Sequence, residues 1–177
     1  MTLFTIGHST RSIDAFIALL RHPEVDLVVD VRRFPGSRRH PQFNAEALAR
    51  ALAAADIEYR HFPALGGRRS RPTEGAVSPH TLWREEAFRN YADYAETAEF
   101  RTAFEALRRL AQTGRPAIMC AEAVWWRCHR RIIADYLIAA GIPVEHILDG
   151  KIAPATLTPD ATVRADGTVL YRAPTLL

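Results

Sequence analysis

The stretch VDLVVDV, residues 25–31, sets Val25, Leu27, Val28, Val29 and Val31 close together with no in–out alternation. A half-exposed strand would alternate, and an amphipathic helix would repeat every three to four residues. A short, nearly continuous apolar run suits a strand covered on both faces, the kind found in parallel sheets sandwiched by helices. The flanking segments agree. Upstream, LFTIG (3–7) reads as a first strand, and Ile13, Phe16, Ile17 and Leu20 then recur at helical spacing behind Ser12, a good cap. Downstream, Asn44 stands as N-cap for AEALARALAAA (45–55), with Leu48 and Leu52 one turn apart.

The same alternation continues. IEYRHF (57–62), RPAIMC (115–120) and PVEHIL (143–148) read as strands, and the segments around REEAFRNYADYAE, AEFRTAFEALRRLAQTG and RRIIADYLIAAG as helices. Gly114 and Gly141 stop the last two. Between IEYRHF and the first of these helices, PALGGRRSRPTEGAVSPH (63–80) lacks either period and reads as a loop or lid. Strand–helix repetition predicts an α/β protein: a single Rossmann-like domain over residues 1–177, with a mostly parallel sheet of about five strands and helices on both faces. The core would span roughly 3–148, and 151–177 would form an irregular or hairpin tail turning at Asp166-Gly167.

Composition narrows the function class. No apolar run reaches membrane-spanning length, the first residues lack a basic-then-apolar leader, and two cysteines make no disulfide framework. A reducing, cytoplasmic setting without membrane attachment is the expectation. Lys151 is the sole lysine, so nearly all positive charge is arginine, clustered in VRRFPGSRRH, GGRRSR and WRCHRR. Guanidinium forks bind phosphate and carboxylate bidentately, which suits a nucleotide or nucleic acid.

In parallel α/β sheets ligands bind beyond the carboxyl ends of the strands. Here those ends carry Gly7, His8 and Ser9; Asp30 and Arg32; His61 followed by Gly66, Gly67 and Arg68; and Cys120 with Glu122. The opposite loops, HPEVD and TGRP, are plainer. Glu122, His8, His129 and Asp30 are the acid–base candidates, because a carboxylate just past a buried strand is partly desolvated. For Asp30 an ion pair with Arg32 is an equal alternative. Cys128 to Arg131 open a helix, so the backbone N–H groups and Arg127 and Arg130 would hold a phosphate or sulfate there, and Cys128 would be partly thiolate. Trp126, with Trp125, offers a surface on which a base could stack, or else packs on the neighbouring helix. Trp83, Phe88, Tyr91 and Tyr94 lie at helical spacing and read as core.

The spacing also excludes chemistries. Six residues, none of them glycine, separate Cys120 from Arg127, one too many for a thiol-phosphatase loop and equally wrong for a rhodanese-type loop. Cys120, Cys128 and His129 lack the paired spacing of structural zinc, and no metal or cofactor is expected.

TIGHSTRSIDAFIALL, LVVDVRRFPGSRRHPQFN, YRHFPALGGRR, FRNYADYAETAEF and IMCAEAVWWRCHRRIIADYL, in this order, resemble the domain-of-unknown-function family 488 over roughly residues 3–148. The resemblance brings no established activity, only automatic DNA-repair labels on some relatives. Its signature positions correspond to Gly7, His8, Ser9, Asp30, Arg32, Asn44, Gly66, Gly67, Cys120, Glu122, Cys128, His129 and Arg130. The leading expectation is an enzyme acting on a phosphate-bearing substrate by hydrolysis or transfer. Gly7, Ser9, Arg32, Asn44, Arg68, Arg127, Arg130 and Trp126 would bind the substrate, and Glu122 with His8 or His129 would move protons. Two alternatives are a thiol-dependent enzyme or redox sensor using Cys128 and Cys120, and a non-catalytic nucleic-acid-binding module.

Overall fold

A computed structural model, described for residues 1–71 and 75–174, arranges the main sheet in the order β3-β2-β4-β1-β5-β6. The strands are β1 (Leu3–Gly7), β2 (Leu27–Asp30), β3 (Glu58–His61), β4 (Pro116–Cys120), β5 (Val144–Leu148) and β6 (Lys151–Pro154). The first five are parallel and β6 is antiparallel to β5. β4 lies between β2 and β1, whereas the 3-2-1-4-5-6 order of dinucleotide-binding sheets puts β1 directly beside β2.

Successive side chains of the central strands go to opposite faces, each into its own apolar cluster. Phe4, Ile6, Val28, Ala117 and Met119 pack against α1 (Ile13–Arg21) and α2 (Ala45–Ala53). Leu3, Leu27, Val29, Ile118 and Cys120 pack against α3 (Glu86–Ala95), α4 (Ala98–Thr113) and α5 (Arg130–Ala139). The unalternating run at 25–31 is thereby explained, since both faces are covered. Ser12 caps α1 through a bond accepted from Ala15 N. Asn44 stands at the N-cap position of α2, but its Oδ1 accepts from Ser37 N at 2.7 Å instead.

The sheet has six strands where five were expected, and the sixth comes from the segment read as a tail. β5 turns into β6 through Asp149-Gly150, with Gly150 in the left-handed region. The expected hairpin is present as β7 (Ala161–Val163) and β8 (Val169–Tyr171), turning through Gly167 at φ 82°. It is not peripheral: Val169 and Tyr171 are fully buried beside Trp83, and the Tyr171 hydroxyl donates to the buried Asp135 carboxylate at 2.9 Å. Trp83, Tyr91 and Tyr94 are core as expected, and the half-buried Phe88 stacks on Trp83 at 5.0 Å. Of the expected lid, Pro63–Leu65 form a single 3₁₀ turn, and residues 72–74 lie outside the described residues. Among the described residues no helix is long and apolar enough to cross a membrane.

The topology dictates where a crevice opens. The chain leaves β1 and β2 toward the face of α1 and α2, and leaves β4 toward the face of α5. The loops after β4 and after its two neighbours therefore diverge, at the carboxyl ends of the strands.

Candidate active site

Backbone ladders continue past the strand ends and lock these loops together. His8 N and Ser9 N donate to Cys120 O and Ala121 O, and Val31 N donates to Met119 O. Gly7 packs against the Glu122 backbone so closely that a Cβ would overlap the carbonyl. Beside Gly67, a Cβ would lie 2.8 Å from the His129 ring. These glycines bring the first, third and fourth loops into contact, and that contact requires the missing side chain.

Asp30 is fully buried and its lone pairs are taken. Oδ1 accepts from Arg32 N and Nε at 3.0 and 2.9 Å, and Oδ2 from Arg32 Nη2 and the Tyr59 hydroxyl at 2.6 and 2.8 Å. Arg32 Nη2 also donates to Phe43 O. Of the two readings of Asp30, the geometry thus takes the ion pair; a carboxylate so occupied is no free base. The partly buried Tyr59 hydroxyl has its pKa raised above the ordinary phenol range by desolvation and by the Asp30 charge.

Arg32 turns its remaining nitrogen, Nη1, to His8 Nε2 at 3.3 Å. A guanidinium only donates, so Nε2 accepts, and Nδ1–H donates to Ser9 O at 2.8 Å. His8 is therefore neutral, and it stacks flat on Phe43 at 4.2 Å between centroids. Burial, joined by the Arg32 charge, pulls its pKa down to about 4. His129 is likewise held as the neutral ring. Its Nε2 faces Val31 O at 2.9 Å and so carries the proton, while burial outweighs the neighbouring sulfur and lowers its pKa.

The two cysteines meet across the β4–α5 connection, Sγ to Sγ 3.3 Å, as free thiols. Cys128 Sγ accepts from Arg130 N at 3.3 Å and Arg130 Nε at 3.2 Å, so the proton between the sulfurs belongs to Cys120. Burial pushes the Cys128 thiol up, but the Cys120 S–H and the Arg130 charge outweigh it and hold Cys128 well below the ordinary thiol range. Cys120, buried and donating, is pushed well above it. Of the two sulfurs, Cys128 is thus the one placed to carry a negative charge.

This arrangement corrects two expectations. Arg130 does not face substrate; it is buried behind Cys128, with Nη2 on Glu122 O at 2.6 Å and Nη1 3.5 Å from Thr5 Oγ1. The start of α5 is not an open anion cradle either. Cys128 N and Arg131 N bond to Trp125 O and Cys128 O, and Arg130 N bonds to Cys128 Sγ, so the sulfur itself takes the place of an anion at the helix start. Behind Arg130, the Thr5 hydroxyl lies 2.7 Å from His146 Nδ1, and His146 stacks on Trp125 at 4.3 Å.

Both sulfurs line a cavity of about 470 Å³ at this rim. Its wall includes His8, Arg32, Arg33, Arg68, Arg127 and His129, with Glu85 and Glu122 as its acids. Glu122 is exposed, not partly desolvated: the chain bends outward after Cys120, and the Glu122 carbonyl accepts from Arg130 Nη2. Trp126 is 46% exposed, edge-on to Trp125 and outside the wall. Gly7 and Ser9 act through their backbones, the Ser9 carbonyl orienting His8; Asn44 shapes the 32–43 loop through Ser37. Arg33 stands with Asp30 and Arg32 at the end of the second strand, where the sequence placed the rim; His40 and Phe43 were not singled out, although the arginine pairs and GHS motif adjoin them; Thr5, Tyr59 and His146 carried no signal, since their partners lie far along the chain. Among the described residues no three His, Cys, Asp or Glu side chains gather as a metal site.

A family model described as "Domain of unknown function DUF488" matches residues 12–137. No curated protein and no solved structure matches the chain.

Proposed function

We propose that this chain, which belongs to the DUF488 family, is a thiol-dependent enzyme in which Cys128 serves as the nucleophile toward an anionic substrate held in the rim cavity. The observation that carries this reading is the Cys128 sulfur, held by three donors at 3.2–3.3 Å and lining an arginine-walled pocket. A thiolate is the nucleophilic form of cysteine, and here it is prepared without an external base. Arg33, Arg68 and Arg127 would bind the substrate's anion, and a phosphate-bearing molecule, nucleotide or nucleic acid, suits their forks. The His129 ring offers its Nδ1 lone pair on the Gly67 side, in reach of a proton released in the cavity. Acid–base hydrolysis through Asp30 and Glu122 has less support, one being consumed by Arg32 and the other exposed.

The test is alkylation of the folded protein with iodoacetamide across pH, with each site read by peptide mass mapping. Cys128 is expected to react at pH values where an ordinary thiol is protonated, Cys120 only far above, and adenosine monophosphate or an oligonucleotide is expected to slow the reaction. A Cys128 profile like that of free cysteine, unchanged by either anion, would overturn the reading.

A second reading, a non-catalytic nucleic-acid-binding module, draws on Phe34. It is 67% exposed at the pocket mouth with the Arg33 guanidinium 5.3 Å from its ring, a pairing on which an unstacked base could lie. Under that reading oligonucleotide affinity falls steeply with salt, and Cys128→Ser leaves it unchanged.

A further inference from the structure

We infer that Arg130 holds the Cys120–Cys128 pair in its dithiol form, so that Cys128 persists as a nucleophile and the disulfide, if made, is a strong oxidant. The inference rests on the thiol reading above and sharpens it, because two cysteines 3.3 Å apart otherwise read as a ready disulfide.

Arg130 is almost completely buried, and among the described residues no carboxylate forms an ion pair with it. Its other partners, the Glu122 carbonyl and the Thr5 hydroxyl, are neutral. The one anion beside it is the Cys128 sulfur, on which both Arg130 N and Nε converge.

Oxidation by a small disulfide RSSR removes that anion. Cys128 S⁻ attacks one sulfur, the RS–SR bond breaks, and RS⁻ departs. Cys120 then gives up its proton to a departing RS⁻, attacks Cys128 Sγ and expels the second RS⁻. Two electrons have passed to RSSR, yielding RSH and RS⁻, and the sulfurs have closed to the bonded distance. A disulfide sulfur carries no charge, so Arg130 is left as a buried cation without a counter-ion, a state that is strongly destabilising. A pair whose reduced form is stabilised in this way is oxidising once it becomes a disulfide.

Equilibration of the whole protein with mixtures of reduced and oxidised glutathione, quenched in acid and read by thiol labelling, tests this. The folded pair is expected to form its disulfide less readily than the same chain in concentrated guanidinium, by on the order of tenfold or more. By linkage, the oxidised protein should unfold at lower denaturant than the reduced protein. Arg130→Gln should shift the equilibrium toward the disulfide, and Arg130→Lys, which keeps the charge, should restore most of the difference. If Arg130→Gln does not fold, the comparison of oxidised and reduced wild type decides alone. A disulfide form as stable as the dithiol form, or more so, overturns the inference. In that outcome early alkylation of Cys128 would still stand, so the two readings fail separately.

Discussion

At the scale of single residues, the rim is built from two buried charge pairs of different kinds. Asp30 and Arg32 form a bidentate ion pair with every carboxylate lone pair engaged. Cys128 and Arg130 pair a sulfur with a guanidinium. Each pair stabilises only while both members are present, since removing one strands the other in a low dielectric. Asp30→Asn is therefore expected to cost about 3–5 kcal/mol, measured by urea unfolding. Tyr59→Phe, which removes one donor to a charged group, should cost less, about 1.5–3 kcal/mol. A cost for Asp30→Asn no larger than that of Tyr59→Phe would mean that Arg32 finds another partner. The Asp30–Arg32 pair was legible in the sequence because its members lie two residues apart. The role of Arg130 was not, because its direction is set by the Glu122 carbonyl and the Cys128 sulfur, which only the fold of the β4–α5 connection brings to it.

At the scale of elements, the site exists because loops from different strands touch at points where a side chain would not fit. Gly7 against the Glu122 backbone is the tightest of these. Gly7→Ala is expected to push the two loops apart, costing about 1–3 kcal/mol as overpacking does. It should also slow Cys128 alkylation, since the Glu122 carbonyl that would move anchors Arg130. An unchanged alkylation rate in a folded Gly7→Ala protein would show that this contact does not hold the sulfur's environment. The first five strands and all five helices were readable from apolar periodicity, because packing on a sheet imposes a regular spacing. β6 was missed although Asp149-Gly150 is the same turn signal that marked β7 and β8; four residues ending in proline carry too little period to register as a strand. The meeting of the two sulfurs was equally hidden. Seven residues of sequence separate them, and only the outward bend and the 3₁₀ turn Trp125–Arg127 fold that interval back.

At the scale of the whole molecule, the polar groups buried at and behind the rim make stability depend on pH. His8 and His146 are both buried as neutral rings with pKa values drawn down to about 4 by burial. Unfolded, each takes a proton near pH 6.5, so below that the unfolded state binds protons that the folded state refuses. Stability is thus full above about 6.5 and declines as the pH falls toward about 4, where the folded rings also protonate. Denaturant midpoints between pH 7 and 4.5 should show this decline, and His146→Gln should flatten it; an equal slope in that variant would assign the loss to other groups. The strand order has a kinetic counterpart. β1 and β2 bond to β4 and not to each other, and the remaining partner of β1 is β5. A chain emerging amino end first therefore carries LFTIG unpaired until Pro116–Cys120 follows, and such distant pairings form slowly. When β4 inserts, it joins the two halves of the sheet and delivers Cys120 in the same movement. A nascent chain that still lacks Pro116–Cys120 accordingly exposes an unpaired apolar strand to aggregation but carries neither sulfur, so the activated thiol arises only as the sheet is completed.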